Sequence, residues 1–517
     1  MMPAVDISVG QPPQRLSTLR PSWISIEHRV NAVPVAEITL STAGNALDIS
    51  KCSEIALCQP GSPASISIKE ADATDSAVMF SGVIVAQQLD LKKDSATLKL
   101  KLQHNIARLD STCRSQVFSD ISASEMIQRY FHEHGIPLQD RARMNTKQEQ
   151  FIQFRCSDWL CIRQLIDEGG AWLIPEPGKV TIALPRLSNK ADRTLEQNSV
   201  NALSSGESGD PIFEASWQFN NQHQPNALAL TAWDIARQKT ISARAKPETL
   251  GAQAMDPKDQ RPLNDMPWVI GTSTSVTWET LETMANGALQ RIQETAVQGK
   301  FKICGTNGYQ LGQTLGVSGF GRNFDGRAII TAITHVFSKA DWTTQLSTGM
   351  PRPLGSRTQW PRMDGLHVGV VADFKKDPNN LNRIRVSLSA LGDSNNVIWA
   401  RLSLPFASKD SGFSFYPEPG DEVVVGCFDA DSDFPLVIGS MHNPMNKAPL
   451  PLTKENAVKG IIVTEKGKKM SLTFDKTANS AVLSTDKDKV QLKAGVTIES
   501  KSDAGVEIKA DKIDLTS

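Results

Sequence analysis

The sequence predicts a mainly β protein with some α: two related β-barrels with helical insertions, a smaller barrel of OB type, and a C-terminal triple-stranded β-prism that needs three chains. Three observations predict it. Short β-branched strips alternate apolar and polar residues at period two through most of the chain. A few segments carry the i, i+3, i+4 spacing of amphipathic helices. The tail, from Thr453 to Ser517, repeats small strand-like pieces with no Pro, Trp, Tyr, Cys, His or Arg.

The totals narrow the function. A chain of 517 residues suggests about three or four domains. Lys+Arg number 55 against 56 Asp+Glu, which argues against nucleic acid or an acidic membrane surface as the main partner. No apolar run approaches the roughly 20 residues of a membrane helix. The start, "MMPAVDISVGQPPQRL", lacks the basic-then-apolar pattern of a signal peptide, so folding and assembly in the cytoplasm are expected. Seven scattered cysteines form no CxxC pair and read as reduced thiols, and Cys156 with Cys161 lacks partners at zinc spacing.

Residues 1–350 are expected as the barrel pair. "WISIEHRVNAVPVAEITL" and "AVMFSGVIVAQQLDLKKDSATLKLKLQ" read as strands, the second as a hairpin turning at "KKDSA". In "SASEMIQRYFHEHGIP", Ser122 and Glu125 have capping-box spacing, with Met126, Ile127, Tyr130 and Phe131 on one face. In "SDWLCIRQLIDEGG", Ser157 or Asp158 caps a helix whose buried stripe is Trp159, Ile162, Leu165 and Ile166. "TWETLETMANGALQRIQETAVQGK" gives a third helix with Leu281, Met284, Ala288, Leu289, Ile292 and Ala296 inward, its end marked at Gly299. "FDGRAIITAITHVFSKADWTTQL" repeats the Phe-x-Gly opening, charged turn and closing strand of the earlier hairpin, hence the expectation of two related barrels. A Pro/Gly/Arg-rich linker separates these from five strands in 364–447, which suit an OB-type barrel.

The tail, 453–517, carries 12 Lys against 10 Asp+Glu and alternates apolar with polar residues, a turn or bulge near Asp511-Lys512 resetting the face from even to odd positions. One such ribbon has free edges and an uncovered apolar face, a combination that aggregates. Three copies wound about one axis solve this. The residues expected at that axis are Val490, Leu492, Val496, Ile498, Val506, Ile508, Ile513 and Leu515. A lone β-solenoid is the competing arrangement, but its rungs are too small to enclose much core.

The ordered set "DP" (Asp377-Pro378), "RIRV" (383–386), "WAR" (399–401), "PEPGDEVVVG" (417–426), "DADSDFPLVIGS" (429–440) and Asn443 resembles the OB domain of VgrG-type spike proteins of contractile injection systems, relatives of phage-tail hub and spike proteins. "QFRCSDWLCIRQLIDEGG" resembles that family's hub helix. The resemblance implies a homotrimer whose paired barrels make a ring of six units, joining a sixfold inner tube of Hcp-like proteins and the baseplate to a threefold membrane-puncturing needle. It also implies a PAAR-type tip protein, effector or toxin cargo, and an extracellular destination for the particle. No room is left between barrel and needle for a lysozyme domain, and the chain stops with a short needle. The "SDW" helix and the compact length lean towards extracellular phage-tail-like particles over a type VI secretion spike.

Enzyme chemistry finds little support in the residues. Asp429, Asp431 and Asp433 begin like an EF-hand loop, but Phe434 and Ser440 occupy the positions needing Gly and Glu. His132, Glu133 and His134 sit at a helix end with divergent directions. "GFGRNFDG" has the wrong spacing for a dinucleotide loop. Trp399, Phe406, Phe413, Phe415 and Tyr416 stand beside acidic residues, which favours packing in the core or between subunits over nucleic-acid binding. The expectation is a non-enzymatic spike without metal or cofactor. A glycan-degrading spike with an unseen carboxylate pair, and a polysaccharide-binding module, are the alternatives.

Overall fold

The computed structural model describes residues 4–42, 53–70, 75–92, 95–197, 210–259, 261–338, 341–351, 362–392, 396–486, and positions 490, 497, 507 and 509. The chain forms two compact units, Met1–Ser440 and Met441–Ser517.

The first six-stranded set runs, neighbour to neighbour, Ala4–Val9, Pro63–Lys69, Ala77–Lys92, Ser95–His104, Val35–Thr42 and Leu19–Arg29. Alternation at period two sends Ile24, Ile26, Ile38, Leu40, Ile66, Phe80, Leu98, Leu100 and Leu102 into one core. The second set closes on itself: Gly326–Ser338, Thr314–Ser318, Arg193–Glu196, Asp210–Phe219, Val297–Cys304 and Trp342–Thr348, the last pairing back to the first. Its core holds Leu195, Phe301, Ile303, Leu315, Val317, Ile330 and Leu346.

One antiparallel pairing, Leu19–Arg29 with Gly326–Ser338, joins the two sets into a continuous sheet. The join is reinforced by side chains, because Phe337 and Trp342 from the second set lie in the first core, their rings stacked at 5.1 Å. The two Phe-x-Gly segments do open matching antiparallel hairpins. Their phenylalanines differ, however: Phe80 is buried within its strand, while Phe324 sits in the turn ahead of the strand and is exposed.

Two helical insertions accompany the sets, one between them and one within the second. The first contains α1 (Ala123–Glu133) and α2 (Asp158–Glu168). Ser122 and Glu125 make the reciprocal capping box and Ser157 caps α2, both as the spacing predicts. Met126, Ile127, Tyr130, Phe131, Ile162, Leu165 and Ile166 form its core. The second insertion lays α3 (Trp278–Gln293) on the strands Leu228–Asp234 and Lys239–Arg244.

Here one expectation is corrected. α3 ends at Gln293, and Gly299 lies inside the strand Val297–Cys304. A Cβ at residue 299 would come within 2.7 Å of the Phe301 ring and 2.8 Å of Thr348 Oγ1, so this glycine makes room in a sheet rather than ending a helix. Gly287, in mid-helix, serves α3 directly. A Cβ there would meet the Asp167 and Glu168 carbonyls at 2.8 and 2.9 Å, and its absence lets α3 approach the end of α2.

The OB-type barrel is closed by five strands in the order His367–Val371, Arg383–Leu388, Val397–Leu402, Pro435–Met441 and Glu422–Cys427. Val371, Ile384, Val386, Leu388, Ile398, Ala400, Val423, Val425 and Val437 fill it. In the second unit, Val458–Glu465, Lys468–Asp475 and Ser480–Thr485 form an antiparallel meander.

Candidate functional site

Two features stand out: the joint between the OB barrel and the rest of its unit, and the face of the tail meander.

The joint is built on the strand Lys147–Cys156, which leads into α2. Its Ile152 and Phe154 side chains belong to the OB core. Its backbone is tied down on both sides: Ile152 N donates to Asp433 Oδ1 at 2.6 Å, and Ser432 Oγ donates to Ile152 O at 2.8 Å. Trp399 N donates to Gln150 Oε1 at 2.8 Å.

Glu149 completes the joint. Arg383 grips it with two nitrogens, at 2.8 and 2.6 Å, and Asn379 Nδ2 adds a bond of 2.7 Å. The same guanidinium reaches Asp377 Oδ1 at 2.6 Å and lies over the Trp399 ring, 5.5 Å from its centroid. Asp377 also accepts from the backbone N–H groups of Asn379, Leu381 and Arg383. Burial alone would raise its pKa, but Arg383 and these amides outweigh it and hold the carboxyl at about 2. The motif residues Asp377, Arg383 and Trp399 thus come together as one network, which sequence spacing does not reveal.

The acidic turn Asp429–Asp433 is part of the same joint. Asp429 Oδ2 accepts from Ser273 N at 2.5 Å and Thr272 Oγ1 at 3.0 Å, linking the barrel to the second insertion. Burial pushes the Asp433 carboxyl well above its ordinary value, and Asp431 and Glu168 add repulsion. Glu168, at the end of α2, is raised to about 7, again chiefly by burial. These carboxylates are joints and acceptors. Among the described residues, no group of three His, Cys, Asp or Glu is arranged to hold a metal.

At the far end of the same insertion, Glu133 and His134 enter an ion network. Arg114 bonds Glu133 at 2.6 Å and Asp158 at 2.9 Å, and His134 Nε2 lies 2.9 Å from Asp158. The Cys156 and Cys161 sulfurs lie 3.4 Å apart in the core, a closeness hidden by their placement on a strand and a helix. Of the glycines of "GFGRNFDG", Gly319 and Gly321 serve a turn, with φ of +89° and +88°, while Gly326 opens a strand.

Of the OB aromatics, Trp399 is half-buried in the joint, whereas Phe406, Phe413, Phe415 and Tyr416 are exposed. For these four, core packing is overturned: they extend from the arm around the short strands Ala407–Ser408 and Ser411–Gly412. Val368 and Val370 also point outward from the barrel.

The tail meander is almost wholly exposed. Its register places Ile461, Leu472 and Leu483 in one row, flanked by Val463 with Met470 and by Phe474 with Ala481, all on one face. Leu472, Phe474 and Leu483 are 37%, 51% and 59% exposed. These residues lie ahead of the axis set expected from sequence. Of that set, Val490 is described and half-exposed. Leu492, Val496, Ile498, Val506, Ile508, Ile513 and Leu515 lie outside the described residues.

The Alg8 N-terminal domain matches residues 13–339. A type VI secretion system/phage-baseplate injector OB domain matches residues 367–442. No curated protein matches in sequence. Among solved structures, a chain of the Francisella PdpA-VgrG complex in its half-lidded form superposes with a TM-score of 0.58 at 9% identity, covering 94% of this chain and 84% of that one. An Escherichia coli type VI secretion component, itself described as similar to the T4 tail proteins gp27 and gp5, gives 0.50 at 13% identity, with 82% and 97% covered. The 43 kDa tail protein of prophage MuSo2 from Shewanella oneidensis gives 0.51 at 12% identity, with 68% and 99% covered. The first of the two domain matches spans more than half of the chain, which therefore belongs to the Alg8 N-terminal domain family and pairs that domain with an injector OB domain on a VgrG-like spike fold.

Proposed function

We propose that the chain is the structural hub and spike of a contractile injection particle, working as a homotrimer and without catalysis of its own. In this reading residues 1–350 are the hub, 364–447 the OB collar and 453–517 the needle. The hub binds the inner tube and baseplate, the needle carries a PAAR-type tip, and sheath contraction drives the needle through a target membrane with its cargo.

The observation that carries the reading is the exposed apolar row Ile461–Leu472–Leu483 on a sheet whose outer strands pair with no further strand among the described residues. A sheet of this kind needs a partner, and a threefold assembly of identical chains supplies three faces and pairs every edge. The exposed Phe406, Phe413, Phe415 and Tyr416 fit contact with a neighbouring copy at the collar. The axis then continues through Val490, Leu492, Val496, Ile498, Val506, Ile508, Ile513 and Leu515.

Native mass spectrometry of the full-length chain tests this. Three copies are expected. Leu472→Asp places like charges together at a dry axis, a cost of several kcal/mol, and should yield monomers with hub and collar still folded. A wild-type chain that is a folded monomer at micromolar concentration, or a Leu472→Asp protein that remains trimeric, overturns the proposal.

A further inference from the structure

Three histidines share one row, two on the strands that join the barrels and one on a strand of the first set. His28 stands on Leu19–Arg29, His335 on Gly326–Ser338, and His104 closes Ser95–His104. The register pairs Ile333 with His28 and His335 with Ile26, so His28 and His335 are diagonal neighbours on one face. On the other flank, Glu27 pairs with Val35 and Val35 with Gln103, and His104 N donates to Pro34 O at 3.0 Å. His335, His28 and His104 therefore follow one row across the sheet.

The row is dry: the three residues are 5%, 8% and 1% exposed. Their close partners are uncharged. His28 Nε2 lies 2.9 Å from Met79 O, His335 Nδ1 3.0 Å from Thr344 Oγ1, and His104 Nδ1 accepts from Ile106 N at 3.3 Å. Phe80 and Trp342 pack beside His28 and His335. The charged side chain acting on the row is Glu27, next to His28 and itself gripped by Arg29; the Glu176 backbone lies near His104.

We propose that this row is an acid-sensitive latch: neutral imidazoles hold the two barrels in one sheet, and their protonation opens the pairing between Leu19–Arg29 and Gly326–Ser338. The direction follows from burial. It lowers all three imidazoles, His104 to about 4 and His335 to about 3, and each of these two is further opposed by His28. An opened seam returns His28 and His335, which stand on its two strands, towards about 6.5. The seam is thus at full strength above about pH 6.5 and weakens as acidification approaches pH 4. By about pH 5, His335 alone favours the open seam roughly 25-fold more than at neutral pH, and His28 adds in the same direction. The carboxylates of the OB joint work the other way: Glu168 and Asp433, raised by burial, favour closure on acidification. The two effects are separable only by a local measurement.

Full-length protein supplies that measurement without mutation. Hydrogen exchange at the imidazole C2 carbon, read by mass spectrometry across pH, should show His28, His104 and His335 titrating well below the exposed histidines. Amide exchange of the two seam strands, corrected for the intrinsic rate, should show protection falling at least twentyfold from about pH 7.5 to about pH 5. His335→Asn, polar but unable to titrate, should recover most of it. Ordinary titration of the three rings, or seam protection unchanged by acid, overturns the latch.

Discussion

Replacing Arg383 by Met keeps the aliphatic stem over Trp399 and removes the charge that ties Glu149 to Asp377. Its side chain is 10% exposed and that of Asp377 6%, so screening is slight at Asp377; Glu149 is more open at 32%. Asp377 sits at about 2 against an ordinary 3.8, which at about 1.4 kcal/mol per unit is roughly 2.4 kcal/mol of stabilisation at neutral pH. The backbone amides keep part of it, so the lost share is about 1.5 kcal/mol. The partly exposed Glu149 contact adds about 1 kcal/mol, and the lost contact with Trp399 about 0.5 kcal/mol. The total, about 3 kcal/mol, sits at the low end of the range for breaking a buried pair. It corresponds to opening the joint about 150 times more often.

Amide exchange of Lys147–Cys156 and Arg383–Leu388 reads that number directly, with Pro63–Lys69, a strand outside both the joint and the seam, as an internal reference. The pH dependence has a definite sign. A depressed carboxyl pKa stabilises above the unfolded value of 3.8 and ceases to do so as pH falls through about 2. The difference between wild type and Arg383→Met should therefore be flat from pH 8 to about 5 and shrink between about 4 and 2. In a cycle with Asp377→Asn, the double variant should lose less than the sum of the singles. A change below about threefold in exchange of Lys147–Cys156 would refute the assignment of this network as the clamp.

Other perturbations probe the barrels and the tail. Glu54 accepts from the backbone N–H groups of Ser17, Thr18 and Leu19 and from Ser17 Oγ, bonds that outweigh its modest burial and hold its carboxyl near 2. Glu54→Gln should lower the first barrel's stability by about 1 kcal/mol after allowance for screening, with the difference vanishing as acid protonates the wild-type carboxyl; urea melts at two pH values check both. Gly251→Ala drives a Cβ to 1.9 Å from Met255 O, and Met255 is part of the second core. A loss above about 3 kcal/mol, seen as reduced soluble yield and a lowered melting temperature, is expected. The Leu472→Asp assembly defect should leave both of these melts unchanged up to Ser440.

What could be read from sequence was what local chemistry decides. Ser122 with Glu125, and Ser157 ahead of its apolar stripe, are caps whose partners lie three residues away. The five OB strands announced themselves because period-two alternation reports a buried face without saying what it faces. The missing parts were pairings across long chain separations. Nothing in "WISIEHR" says that it will pair with residues 332–338, and so the seam and its histidines were invisible. Arg383 and Glu149 are over 200 positions apart. Gly299 misled because glycine ends helices and also relieves crowded sheets, and only the Phe301 ring distinguishes the two. The aromatic arm failed for a related reason: an apolar residue need not be buried within its own chain.

Ile152 and Phe154 are donated to the OB core by a strand that precedes the barrel by more than 200 residues. The barrel is thus not a cassette. Cut out at its own first strand, it would lose two plugs from its interior and present a greasy socket to water. A chimera that swaps collars between relatives must carry the Lys147–Cys156 segment with the barrel, or match it, to yield a soluble protein. During synthesis the plug emerges long before its socket, so the early part of the chain must keep those two side chains sheltered until the collar arrives to close over them.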